Sequence, residues 1–191
     1  VHISGVGHTP QTIRNLVNIM AAHESQLAKA IRIDRNRMNR YCRTVDPKFL
    51  EGVNRKKPRT MEELEDLWYQ TQNADGNRYT HYNSSRYRVC NLHSFFHGHH
   101  TIEFRLFQFD CPHDGKQNGM HAGQVKSFIQ LCLAINQLAK MVRTASPKPQ
   151  QTENEKYAMR CWMLRLGFIG DEFKTAREYY LNNMEGNSAW R

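Results

Sequence analysis

The sequence predicts an α+β fold: a small strand unit set among amphipathic helices, closed by a C-terminal helical hairpin. Three observations predict it. Residues 101–107 alternate, with Ile102, Phe104 and Leu106 on one side and Thr101, Glu103, Arg105 and Phe107 on the other. Long segments before and after them carry apolar residues at helical spacing behind N-cap signatures. A proline linker, Ser146-Pro147-Lys148-Pro149, separates a body at 1–145 from a helical extension at 150–191.

Taken in order, Val1–Ser4 reads as the end of a strand. Gly5, Gly7 and His8 form a turn, and Thr9-Pro10 opens a helix to about Ile31, with Thr as N-cap and Pro at the first helical position. A basic cluster follows: Arg32, Arg35, Arg37, Arg40 and Arg43. Asp46-Pro47 starts a short turn or helix to Leu50, and Gly52–Arg59 reads as a loop. Thr60 and Glu63 form a capping box for a helix to about Gln72. Asn73–Asn77 is a polar turn, and Tyr79–Ser85 an irregular lead-in. Arg86–Phe107 reads as two strands joined by a turn rich in histidine. The polar stretch Phe109–Gly119 reads as a loop bordering a site. A helix spans about His121 to Thr144. Thr152 and Glu155 form a second capping box, for a helix ending at Gly167, and a last helix runs from Gly170-Asp171 to near Gly186.

Composition narrows the function classes. The 191 residues suffice for one domain with a real core, or a domain plus an appendage. No apolar run approaches the ~18–20 residues of a membrane span, so no membrane partner is expected. The opening residues resemble neither a signal nor a transit peptide; the chain reads as entered inside a strand, as the C-terminal portion of a longer protein. Five scattered cysteines without a CxxC pair argue against a zinc knuckle and for a reducing cytoplasm. A net charge of +9 favours anionic partners: nucleotide phosphates, acidic substrates or nucleic acid.

Several motifs compete for the chemistry. The arginines from Arg32 to Arg43 suit phosphate or nucleic acid, or simply a solvated helix face; no nucleic-acid-binding signature accompanies them. His93, His97, His99 and His100 invite a metal, yet no carboxylate or cysteine nearby completes a tetrahedral set. Cys90 and Cys132 lack the setting that activates a thiol and read as core. Neither GxxxxGK[ST] nor GxGxxG is present, so a nucleotide would be held by arginines and metal-bound carboxylates. The strands remain. Arg86 and Arg88 alternate on the first, Glu103 and Arg105 on the second. If they pair, three guanidinium groups and one carboxylate can converge on one sheet face, joined by His2. The alternative is a surface sheet with cross-strand ion pairs.

Val1-His2-Ile3 with its Gly turn and Thr-capped helix, then Arg86…Asn91-Leu92, then Thr101-Ile102-Glu103-Phe104-Arg105 before a polar loop and a long helix, resembles the amidoligase family, grouped with glutamine synthetase and glutamate–cysteine ligase. The resemblance spans about Val1 to Arg143. It implies a glutamine synthetase-like antiparallel sheet curved around the site, with helices packed on one, outer, face. It implies ATP- and Mg²⁺-dependent formation of an amide bond, through an acyl phosphate, between small-molecule or peptide carboxylate and amine substrates. By the same resemblance Glu103 is a Mg²⁺ ligand and Arg105 binds substrate carboxylate or phosphate. Arg86, and less closely Arg88, neutralise the transferring phosphate. His2 and Ser4 lie beside the nucleotide, and Asn91 shapes the site. The family occurs in mobile elements of bacteria and phages, and the terminal hairpin resembles an extension of that subgroup. Its other metal-binding acids lie on strands preceding Val1, so this portion alone is expected to be catalytically incomplete and prone to associate, possible homo-oligomers included. The competing reading is a basic nucleic-acid-associated accessory protein of a mobile element.

Overall fold

Thr9 and Pro10 start the first long helix as their chemistry requires. In the computed structural model, which describes residues 1–72, 77–108 and 121–189, Thr9 caps the Thr12 backbone N–H while the Thr12 hydroxyl accepts from the Thr9 N–H. Helix α1 runs Pro10–Ala30. Its stripe of Ile13, Leu16, Val17, Met20 and Leu27 is buried, each side chain worth about 1.5–3 kcal/mol relative to exposure.

The basic cluster forms a short helix of its own, α2 (Arg35–Tyr41), capped by Asp34 and burying none of its residues fully. Asp46 caps α3, which runs Pro47–Lys56. The expected loop at Gly52–Arg59 is therefore helical over its first half. The reason is tertiary: Val53 is fully buried and Gly52 lies against Leu67, where a Cβ would come within 2.9 Å of that side chain. Helix α4 (Met61–Thr71) has the expected Thr60 cap.

The strand unit differs most from expectation. Arg86 belongs to a 3-10 turn, Ser84–Arg86, and not to a strand. Strand β2 is only Cys90–Asn91. The histidine-rich turn is a short helix, α5 (His93–His97), whose first N–H is held by the Asn91 side chain at 2.8 Å. Strand β3 (Thr101–Phe104) is the centre of a three-stranded antiparallel sheet, with β1 (His2–Ser4) on one side and β2 on the other. His2 pairs with Glu103 and Ser4 with Thr101, while Asn91 pairs with Glu103 from the other edge. Beyond the named strands, Arg105 N donates to Val89 O at 2.9 Å, so Arg105 stays in extended register.

The sheet is amphipathic. Ile102 and Phe104 are buried in a core shared with α1 and with α6 (Ala122–Met141). α1 is tied to the end of α6 by Asn15, whose amide donates to the carbonyls of Ala139 and Val142. The connection from β1 to α1 is tight. A Cβ on Gly5 would lie 2.5 Å from the Phe95 ring, and Gly7 has φ +80°.

The terminal helices α7 (Glu155–Arg165) and α8 (Lys174–Asn182) form the expected hairpin. The cap of α7 is Asn154 and not Thr152, because the Asn154 carboxamide reaches Tyr157 N at 3.0 Å. Met159, Trp162, Met163, Ala176 and Tyr180 join the same core cluster as the body. Tyr180 is fully buried and donates its hydroxyl to Ser127 O.

The expected loop at Phe109–Gly119, Cys111, and all of the Asn73–Asn77 turn but its last residue lie outside the described residues. Among the described residues no helix is long and apolar enough to cross a membrane.

Candidate active site

Strand alternation puts Thr101, Glu103 and Arg105 on the sheet face opposite Ile102 and Phe104. Antiparallel register then sets His2 and Asn91 on either side of Glu103, in one row across the three strands. Asn91 donates to Glu103 Oε2 at 2.6 Å. Arg105 Nη1 donates to both carboxylate oxygens, at 3.0 and 3.2 Å. His2 Nε2 stands 3.6 Å from Glu103 Oε1, and its Nδ1 is 2.9 Å from the Thr101 hydroxyl.

Arg105 is braced from behind. Its Nε donates to Tyr41 O at 3.1 Å and its guanidinium lies 5.4 Å from the centre of the Tyr87 ring. Arg37 holds the strand beyond it, donating from Nη2 to the carbonyls of Arg105 and Phe107. Among the described residues Arg105 Nη2 has no hydrogen-bond partner.

The electrostatics favour an ionised acid. Burial works against the charge on Glu103, but the Asn91 hydrogen bond and the charges of Arg105 and His2 outweigh it, and the carboxyl titrates below its ordinary range. Burial lowers the pKa of His2; Glu103 opposes this, while Arg105 and Arg86 reinforce it. The row is therefore a carboxylate, a neutral imidazole, an amide and a guanidinium at neutral pH, with His2 half exposed and Glu103 mostly covered.

The other expected site residues divide. Ser4 is exposed on β1, its hydroxyl accepting from Val6 N. Arg86 donates to His81 O and lies over the Tyr82 ring, close enough to influence His2; its Nε is buried without a partner among the described residues. Arg88 does not converge with Glu103. Register places Asn91 opposite Glu103, so Arg88, three residues earlier, falls on the other side of the strand. There its Nε, Nη1 and Nη2 donate to Gln72, Thr44 O and Asp46.

Among the described residues no group of three metal-binding side chains occurs, at the histidines or elsewhere. His93 bonds the Tyr69 hydroxyl and Thr80 O, and His97 pairs with Glu65 at 2.7 Å. Cys42, Cys90 and Cys132 are buried, and burial pushes the Cys90 thiol up to about 12, as suits a core residue. The alternating pattern missed Arg37, Tyr41 and Tyr87. Arg37 stood in the basic cluster, but nothing local shows that it reaches β3.

Magnesium fits this row only in part. Mg²⁺ commonly binds through one or two carboxylates together with phosphate oxygens and water. Glu103 is one such carboxylate, but Asn91 and Arg105 already engage it. The row suits an ion carried in with nucleotide phosphates, and does not suit one held by this chain alone.

No curated protein and no solved structure matches the chain at a significant level. A sequence model of the family described as "Putative amidoligase enzyme" matches residues 1–136, which include every residue of the row. That span covers well over half the sequence, and the chain belongs to the amidoligase family.

Proposed function

We propose that the protein joins a carboxylate to an amine at the cost of ATP, with Mg²⁺, on the face formed by His2, Asn91, Glu103 and Arg105. The family points to ligase chemistry. The single observation that carries the finer reading is the Glu103–Arg105 pair: an ionised carboxylate beside a guanidinium with one nitrogen free among the described residues, on the polar face of the central strand.

Asn91 and Arg105 keep Glu103 ionised and oriented. Arg105, with Nη2 unengaged, takes a carboxylate or phosphoryl oxygen, and Arg86 adds positive charge to the same side. In this reading a substrate carboxylate oxygen attacks the γ-phosphorus and ADP leaves. The amine nitrogen then forms the C–N bond, losing a proton as phosphate departs. Mg²⁺, when bound, neutralises the phosphate oxygens. His2, neutral at pH 7, is placed to accept a hydrogen bond or a proton at Nε2. A likeness of the fold to glutamine synthetase belongs to the same proposal.

ADP release with Mg-ATP and panels of amino acids or peptides tests the reading. Glu103→Gln keeps the shape and the Asn91 contact but removes the charge. Turnover should fall by about 100-fold or more, with the fold intact by circular dichroism. Wild-type turnover in that variant would sink the assignment. Binding of Mg-ATP alone should raise Tm by mass action.

A further inference from the structure

Beside the Glu103–Arg105 face, over the continuation of β3, an open cleft of about 550 Å³ is lined by Asp34, Asn36, Arg37, Arg40, Tyr41, Phe107 and Gln108. Two contacts join it to the row. Tyr41 gives its carbonyl to Arg105 while lining the cleft, and Arg37 spans from the cleft to the carbonyls of Arg105 and Phe107. Gln108 accepts from Asp34 N at 2.9 Å, fixing the start of α2 against the strand.

Its charge is unbalanced. Asp34 spends one carboxylate oxygen on capping α2. Arg40 is exposed, lies 5.5 Å from the Tyr41 ring centre and has neither a hydrogen bond nor an ion pair among the described residues. Arg37 uses only Nη2; its Nε is buried and unpartnered among the described residues. A buried donor without an acceptor is costly, and a nearby anion offsets that in part through the guanidinium charge.

We propose that this cleft receives a second carboxylate of the substrate, so that the ligase acts on an acidic molecule carrying two carboxylates, one at Arg105 and one at Arg40 and Arg37. The inference rests on the ligase reading for the role of the first carboxylate. The cleft itself is tested by binding, without turnover. Tyr41 gives Arg40 a flat apolar support, so a charge-assisted contact there loses little side-chain freedom.

Isothermal titration of the full chain at low ionic strength, with succinate, glutarate and adipate against butyrate, is the experiment. The best dicarboxylate should bind about tenfold more tightly than butyrate. Arg40→Gln, an exposed position, should remove that preference and leave butyrate binding unchanged, and Arg40→Lys should restore part of it. Arg105→Gln should weaken all four acids. Equal affinity for all four in the wild type, or a preference that survives Arg40→Gln, overturns the proposal. So does an Arg40 dependence seen only with a single-stranded oligonucleotide, which would mark the cluster as a nucleic-acid contact. If the preference depends on Arg40 while Glu103→Gln turns over ATP as wild type does, the ligase reading fails and the cleft stands.

Discussion

Two arginine–carboxylate pairs of nearly equal burial sit on opposite sides of the strand unit, and they do opposite things. Arg105–Glu103 has side chains 16% and 14% exposed; Arg88–Asp46 has 9% and 14%. Arg88 is spent completely: each guanidinium nitrogen meets a protein acceptor, and Asp46 also caps α3 with its other oxygen. Among the described residues Arg105 keeps Nη2 open, and its carboxylate is shared with His2 and Asn91. Burial and pairing alone therefore do not tell the two pairs apart. Unspent hydrogen-bonding capacity does.

Truncation should separate the pairs most sharply. Arg88→Ala leaves Asp46 without its cation in a covered site, and should destabilise the protein by about 3–5 kcal/mol, measured by urea unfolding. Arg105→Lys, which keeps the charge but loses the fork, should cost about 1 kcal/mol while weakening the binding of carboxylate probes. A comparable stability loss from the two variants would erase the distinction.

Glu24 sharpens the structural side. It lies on α1 with Oε2 accepting from Val45 N at 2.8 Å, and burial raises its pKa from 4.5 to about 7, against the pull of Val45 and Arg88. Because the folded form holds the proton more tightly, its contribution to stability is complete below pH 4.5 and is lost as pH rises to about 7. Glu24→Gln removes that slope. The variant should gain roughly 3 kcal/mol on the wild type between those limits, read as the difference in unfolding free energy across a pH series. A flat difference would show that Glu24 ionises without cost beside Arg88.

The smallest effect belongs to His2. Its pKa is held down by burial, so it charges only as pH falls below the ordinary histidine range. His2→Asn should shift Tm by no more than a degree or two, since the side chain is half exposed. NMR titration of the imidazole should give a midpoint below that of free histidine. A raised midpoint would mean that Glu103 dominates, and that the row is a simple ion pair.

Much of the fold was legible because its signals are local. Thr9, Thr60 and the alternation of residues 101–107 announce two helix starts and one strand through contacts within a few residues. Gly52–Arg59 misled because a polar sequence was carried into helix by the burial of Val53 and the seating of Gly52 on Leu67, contacts made only in the folded chain. The histidines show what sequence leaves open: their spacing invited a metal without completing a ligand set, and each described partner is a tyrosine, a carboxylate, a carbonyl, a hydroxyl or an aromatic ring.

The sequence by itself determined that Glu103 and Arg105 share one strand face, because side chains two apart on a strand must. Only the tertiary structure decided who joins them. Strand register is set by pairing across long stretches of chain, and a shift of one residue exchanges the faces. By placing Asn91 opposite Glu103, the register brought an amide to the carboxylate and turned Arg88 away to Asp46.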